Sequence, residues 1–326
     1  MRDPRNLSLP REAAHRLLCR RQDRRRRTSR TLNSGNNMIT TQSIQPGLRE
    51  RITQIRTACG HESASHSFPS VFLWQKDLGL SVCLREEMYA IRSTYWGDHT
   101  WFFPCGEEKA VLAFLDELLR EEHPVHFLYL REQDKELLNG RWPGRFRILP
   151  AEDASEYLYD REEYLRMPGR KYEDIRWSIN HLKKQHDLRT EALAAENLEA
   201  AGQMLARWEP RSESEYFSAD HKTSVLMLEN YSVLDMSGVI VYVDGEAAAM
   251  ASGFPLSGSS YDIAFSKAPE RERGLQFYVR RELISSLPEQ YRIINGEEDL
   301  GIPGLRQSKL LENPIGRIEM FSAYEE

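Results

Sequence analysis

Cysteine is scarce in this chain of 326 residues: Cys19, Cys59, Cys83 and Cys105 are the only four, and no two are spaced C-x-x-C. The pattern argues against a cysteine-held zinc ion and against a disulfide framework, and it fits a reducing, cytoplasmic setting. Long apolar runs are also missing. No stretch of about 18 apolar residues occurs, so no integral membrane segment is expected. G-x-S-x-G, P-loop and H-E-x-x-H patterns are absent, which removes three common catalytic scaffolds. His123-x-x-His126 spans a proline and lacks carboxylate or cysteine partners at ligand spacing, so no metal is expected.

Lysine is absent from residues 1–30, which carry eleven arginines against Asp3, Glu12 and Asp23. Their net charge of +8 leaves −14 for the rest of a chain whose total is −6. An acidic remainder disfavours broad nucleic-acid binding, and no DNA partner is expected. Residues 1–37 read as a disordered basic extension, since Arg24–Arg27 and Ser34-Gly35-Asn36-Asn37 cannot bury a core. The remaining composition, 40% hydrophobic and 29% charged over the whole chain, is that of a globular protein with room for two medium domains.

Periodicity divides the rest at about residue 150. Over 38–150, strands are expected at 71–74, 80–84, 88–91, 100–103, 125–128 and 146–149, with helices at 107–121 and 132–138. Over 151–326, a helix at 171–185 precedes a strand at 188–193 and two helices at 196–208 and 214–229. Strands 238–243 and 247–255 then flank the hairpin turn Asp244-Gly245. Strand 261–265, helix 275–287 and strand 291–294 should form a right-handed crossover between parallel strands, and 315–321 a last strand. Trp74, Trp101, Trp177 and Trp208 fall on apolar faces and read as core. The fold class is α+β, two domains each with a mixed, mostly antiparallel sheet flanked by helices.

Two stretches carry chemistry. The first follows strand 291–294: Asn295, then Glu297-Glu298-Asp299, a turn at Gly301, Pro303 and Gly304, then Arg306 and Lys309. Three adjacent carboxylates repel one another unless water or cations separate them, and they titrate as a coupled set. The sequence alone leaves two alternatives, a solvated acidic turn or a working site at a strand end. In the second, Arg306 or Lys309 pairs with Asp299 or Glu297, leaving Glu298 with a raised pKa as a general base. The other stretch is the helix entry Lys267 to Gln276, with Arg271-x-x-Gly274-x-Gln276. Glycine lets backbone approach a ligand, and free N–H groups at a helix start favour phosphate.

The second stretch resembles the pyrophosphate loop of the GNAT acyltransferases, placed where those enzymes have it. A longer likeness runs from about Phe72 to Met320. Asn295, Glu297–Gly301, Gly304-Leu305-Arg306, Lys309-Leu310 and Asn313-Pro314 resemble the N-R-E-E-D-L-G-I…G-L-R-x-x-K-L-S-Y-x-P signature of a bacterial family related to the C-terminal domain of phosphatidylglycerol lysyltransferase. Tyr157-Leu158-Tyr159, Gly169-x-Lys171, Arg176 and Asn180 match its central signature. The resemblance implies two tandem GNAT-like domains and transfer of an acyl group to an amine or hydroxyl. The donor expected first is acyl-CoA, with no covalently bound cofactor; the alternative is a charged tRNA touching Arg170, Lys171, Lys183 and Lys184. A non-catalytic module on the same fold is the third reading.

On these grounds the expected catalytic residues are Glu298, Asp299, Glu297 and Asn295, the donor-binding ones Lys267, Arg271, Gly274 and Gln276, and the substrate-binding ones Arg176, Asn180, Arg306 and Lys309. The chain departs from the family pattern at Gly296, where arginine is usual, at Leu311-Glu312, where Ser-Tyr is usual, and at Asp174-Ile175, where a lysine is lost.

Overall fold

The structure, a computed structural model, describes residues 39–207, 215–269 and 272–326. The segment 1–37, Trp208 and Arg271 lie outside the described residues.

Fourteen described strands form two seven-stranded mixed sheets. In the first, β1 (Leu80–Leu84), β2 (Met88–Ser93) and β3 (Thr100–Phe102) form an antiparallel meander, and β4 (Cys105–Gly106) pairs with β2. Helix Glu108–Glu121 then crosses over to β5 (His126–Leu130), parallel to β3. β6 (Phe146–Pro150) completes the local set. The second sheet repeats this logic. β8 (Leu188–Ala192), β9 (Ser237–Val243), β10 (Glu246–Pro255) and β11 (Ser260–Lys267) run antiparallel in turn, and helix Arg273–Ser286 crosses to β12 (Ile293–Asn295), parallel to β11 as expected. β7 (Glu156–Asp160) and β13 (Gly316–Ile318) finish this sheet beside β12. The repeated strand–helix–strand unit makes the fold a tandem GNAT-like one, with both sheets flanked by helices.

Local sequence accounts for most of these elements. Asp244 and Gly245 both take positive φ, 52° and 89°, which is what a two-residue hairpin turn between β9 and β10 requires. The apolar run of β9 is buried on both faces: Val239 and Val241 point to one core, Ile240 to the other. That second core also takes Ile52, Phe68, Val82 and Phe102 from the first half of the chain, so the two sheets share it.

Three expectations change, and one unassigned stretch is helical. The run 71–74 is not a strand but the end of helix Phe68–Trp74. Ser67 caps that helix by accepting from the Ser70 N–H at 3.2 Å, and Pro69 sits in its first turn. The stretch after Gly301 is also helical, Pro303–Leu311. The single last strand is two: β13 stays in the second sheet, whereas β14 (Phe321–Glu325) inserts between β5 and β6 of the first. Trp177 is 65% exposed, stacked on His181 at 4.9 Å, because Ile175, Ile179 and Leu182 set the buried face of helix Glu173–Gln185. Trp101 is buried as expected, and Trp74 packs at the rim of the shared core.

Candidate active site

β11 and β12 pair only through Ser260, Tyr261 and Asp262; β11 then continues to Lys267 while β12 ends at Asn295. One extra residue sits in β11 between Asp262 and Phe265, where the register against β10 shifts. Such a bulge bends the strand and increases its twist. Gly253 permits it, because a Cβ there would lie 1.7 Å from the Asp262 carbonyl oxygen. The parallel strands thus part at their carboxyl ends, the usual place for a ligand in sheets of this kind.

Carboxyl groups crowd the parting. Asp262 and Asn295 are register partners, and Asn295 Nδ2 donates to Glu156 Oε2 at 2.5 Å. Glu156 is buried and also accepts from Ser63 Oγ at 2.6 Å and the Ala64 N–H at 3.0 Å. Both oxygens of Asp262 are buried with no hydrogen-bond partner among the described residues. Burial, then the nearby Glu156, pushes the Asp262 pKa well above the carboxylate range. Burial, then Asp262 and Glu298, does the same to Glu297. Glu298, half-buried, is pushed up to about 7 by burial and by Glu156, with Lys309 opposing.

Asp299 is the contrast. It is fully buried, but Arg306 grips it with Nε at 2.7 Å and Nη2 at 2.9 Å, and Tyr157 Oη donates to it at 2.6 Å. Burial alone would raise its pKa; these donors outweigh it and hold Asp299 below its ordinary value. Arg306 thus pairs with Asp299, as its spacing predicts, and the acidic run is not a solvated turn. The loop is pinned in a costly conformation. Glu297 and Leu300 have φ of 58° and 53°, left-handed backbone that costs a non-glycine residue about 1–2 kcal/mol. The Glu297 N–H donates to Asn295 Oδ1 at 2.7 Å and the Leu300 N–H to the Asp153 carbonyl at 2.9 Å, which holds it there.

Lys309 is the cation that opposes the raised pKa of Asp262, Glu297 and Glu298 alike. Its Nζ donates to the Gly296 carbonyl, and its pKa is lowered by burial and by Arg280 while Glu297 and Glu298 oppose the shift. Two of the departures from the resembled signature, Gly296 and Glu312, meet at Arg280. A Cβ on Gly296 would lie 2.7 Å from the Tyr159 ring and 3.4 Å from Arg280 Nη2. Arg280 is buried and pairs at 2.9 Å with Glu312, which also accepts from Tyr164 Oη at 2.5 Å. This chain therefore carries a buried Arg280–Glu312 pair beside glycine at 296. Tyr129 of β5 reaches the same region: Glu298, Glu156 and Glu297 add to burial in raising its pKa, and its φ of 56° is left-handed within a strand.

The remaining expected residues do not join this centre. Lys267 is buried and paired with Asp220. Gln276 is half-buried in helix Arg273–Ser286. Gly274 has a packing reason for being glycine: a Cβ would lie 2.4 Å from the Ser178 carbonyl oxygen of the neighbouring helix. Close helix–helix contact accounts for this glycine without a ligand. Gly274→Val is therefore expected to destabilise the fold by about 1–3 kcal/mol through overpacking. A denaturant titration checks this, and unchanged stability would contradict it. Arg176 donates to the carbonyls of Met167 and, at 2.7 Å, Gly169, closing a turn, and Asn180 is exposed. These positions give acyl-CoA no support as donor. Asp262, Glu156, Arg280 and Tyr129 were not singled out by sequence. A lone carboxylate inside the apolar strand 261–265 was the one available sign.

The two sheets, each with its strand–helix–strand crossover, define the class by fold: tandem GNAT-like proteins. Within it, the chain belongs to the phosphatidylglycerol lysyltransferase C-terminal family, whose model matches residues 56–324. The family is named for a lysyltransferase. A Bacteroides thetaiotaomicron protein of unknown function superposes with a TM-score of 0.81 at 22% identity, over 89% of this chain and all of that one. A domain attributed to the C-terminus of an Agrobacterium fabrum lysylphosphatidylglycerol synthetase gives 0.60 at 13%, over 85% and 93%. L-PGS from Bacillus licheniformis gives 0.58 at 16%, over 85% and 91%. At these identities the likeness is one of fold. No curated protein matches the chain in sequence. Among the described residues, no helix is long and apolar enough to cross a membrane.

Proposed function

We propose that this chain transfers an aminoacyl group from aminoacyl-tRNA to an amine or hydroxyl acceptor, with Glu298 as the general base. The observation that carries the proposal is the carboxyl-rich parting of β11 and β12. Glu156 adds to burial in raising the pKa of Asp262, Glu297 and Glu298 there, and Lys309 opposes the rise in all three. An aminoacyl group brings a positively charged ammonium, which such surroundings favour; a plain acyl group brings no charge to offset them. The family description, which names a lysyl transfer, supports the same donor class.

In this reading the donor ammonium lies near Asp262, and its arrival draws off the proton that burial keeps on that carboxyl. Glu298 takes the proton of the acceptor as its lone pair attacks the donor carbonyl. β11 beyond Asp262 is uncovered by β12, so outward-facing backbone N–H groups there can hold the developing oxyanion. Lys309 limits the charge built up as Glu298 ionises.

The test is transfer of label. Aminoacyl-tRNAs carrying labelled amino acids are offered with phosphatidylglycerol vesicles or with small amines, beside a panel of acyl-CoAs. Label is expected to leave tRNA for an acceptor only when the protein is present. Release of free CoA, with label retained on every tRNA, would overturn the reading.

A further inference from the structure

We propose that Cys59 and Cys105 form a peroxide-reactive dithiol, in which a small hydroperoxide oxidises Cys59 and Cys105 then joins it in a disulfide. The two Sγ atoms lie 3.4 Å apart with both thiols free. Cys59 is the C-cap of helix Arg49–Ala58, and that helix packs against β4, which carries Cys105. A disulfide needs a sulfur separation of about 2 Å, so a closure of little more than 1 Å joins them.

Access differs between the two sulfurs. Cys59 is half-buried and lines a cavity of about 460 Å³ that it shares with Phe103, Pro104, Arg131, Gln133 and Asp134. Cys105 is 1% exposed. The first meets a solute and the second only its neighbour, the division of labour between an attacking and a resolving cysteine. Arg131, held in a two-pronged pair with Asp134 at 2.9 and 3.0 Å, adds positive charge to the cavity. The Cys105 thiol, hydrogen-bonded to Cys59, lowers the Cys59 pKa to about 6 against the opposing effect of burial, and Arg131 assists. Cys83 lacks these features: it is buried, and burial raises its pKa.

The chemistry balances. Cys59 thiolate attacks one peroxide oxygen and the O–O bond breaks; the departing oxygen takes a proton and leaves as water or an alcohol. Cys59 is now a sulfenic acid. Cys105 sulfur attacks Cys59 Sγ, the S–O bond breaks, and the hydroxide leaves as water with the Cys105 proton. The two thiols together lose two electrons, which reduce the peroxide. An added dithiol reverses the link by exchange.

The full-length protein is treated with hydrogen peroxide near stoichiometry, then denatured, alkylated and peptide-mapped without reductant. A Cys59–Cys105 linked peptide, lost on adding dithiothreitol, is expected, with Cys83 alkylated as a free thiol. In Cys105→Ser the same treatment is expected to leave Cys59 as a sulfenic acid that dimedone traps. The wild-type map stands even if that variant does not fold. The proposal is overturned if wild-type Cys59 and Cys105 are both recovered as free thiols under conditions that oxidise free cysteine. Over-oxidation of Cys59 to a sulfinic acid without a link overturns it equally.

Discussion

Glu298→Gln is expected to lower kcat/KM for aminoacyl transfer by roughly a hundredfold or more, the usual contribution of a positioned base. Stability is expected to stay close to that of the parent. The amide keeps the volume of the carboxyl and removes one member of a mutually repelling set, since Glu156 and burial both oppose the charged form of Glu298. The pair of readings separates catalysis from support. Full activity in the variant moves the base elsewhere in the cluster, and a large loss of stability makes Glu298 structural.

The second large effect is on folding. Arg280 and Glu312 are both buried, 7% and 2% exposed, and meet at 2.9 Å. Arg280→Met leaves the Glu312 carboxylate in the core with only Tyr164 Oη to satisfy it. Removing one partner of a buried pair typically costs about 3–5 kcal/mol, so Tm should fall by on the order of 5 °C or more. Replacing both, as Arg280→Met with Glu312→Leu, should recover most of the loss, because two apolar groups need no compensating charge. A thermal melt of the three proteins checks this. An unshifted Arg280→Met would mean that the pair contributes nothing.

The crossover from β11 to β12 was legible because Leu275, Val279, Leu283 and Leu287 lie at helical spacing between two short apolar runs, and that pattern is local. The acidic run was legible for the same reason: Glu297, Glu298 and Asp299 are neighbours in the chain, and Arg306 follows within one loop. Asp262 was hidden because one carboxylate in a strand says nothing about which face it takes or what lies opposite. Both depend on register with Asn295 and Phe254. Glu156 was hidden because its donors, Ser63 and Ala64, come from a distant loop. The contact of Gly274 was hidden since a glycine at a helix entry looks the same whether it faces a phosphate or, as here, the Ser178 carbonyl. The run 71–74 was misread because a buried apolar tetrapeptide has no period of its own, and Ser67 and Pro69, which decide for helix, stand before it.

The raised pKa of Glu298 also couples function to stability. Its folded value of about 7 lies above the ordinary 4.5, so its contribution to stability is full below about pH 4.5 and is lost as pH rises through 7. Asp299, held low, works the other way and loses its contribution only as pH falls through its depressed folded value. The carboxyl form of Glu298 therefore favours the fold, whereas the proposed reaction needs the carboxylate form. The pH profile of kcat/KM for aminoacyl transfer tests that claim most directly. The account predicts a rise with increasing pH, a midpoint near 7 and a plateau above it, with the step missing from the residual activity of Glu298→Gln. A profile already flat between pH 5 and 8, or a step that survives in Glu298→Gln, would contradict it.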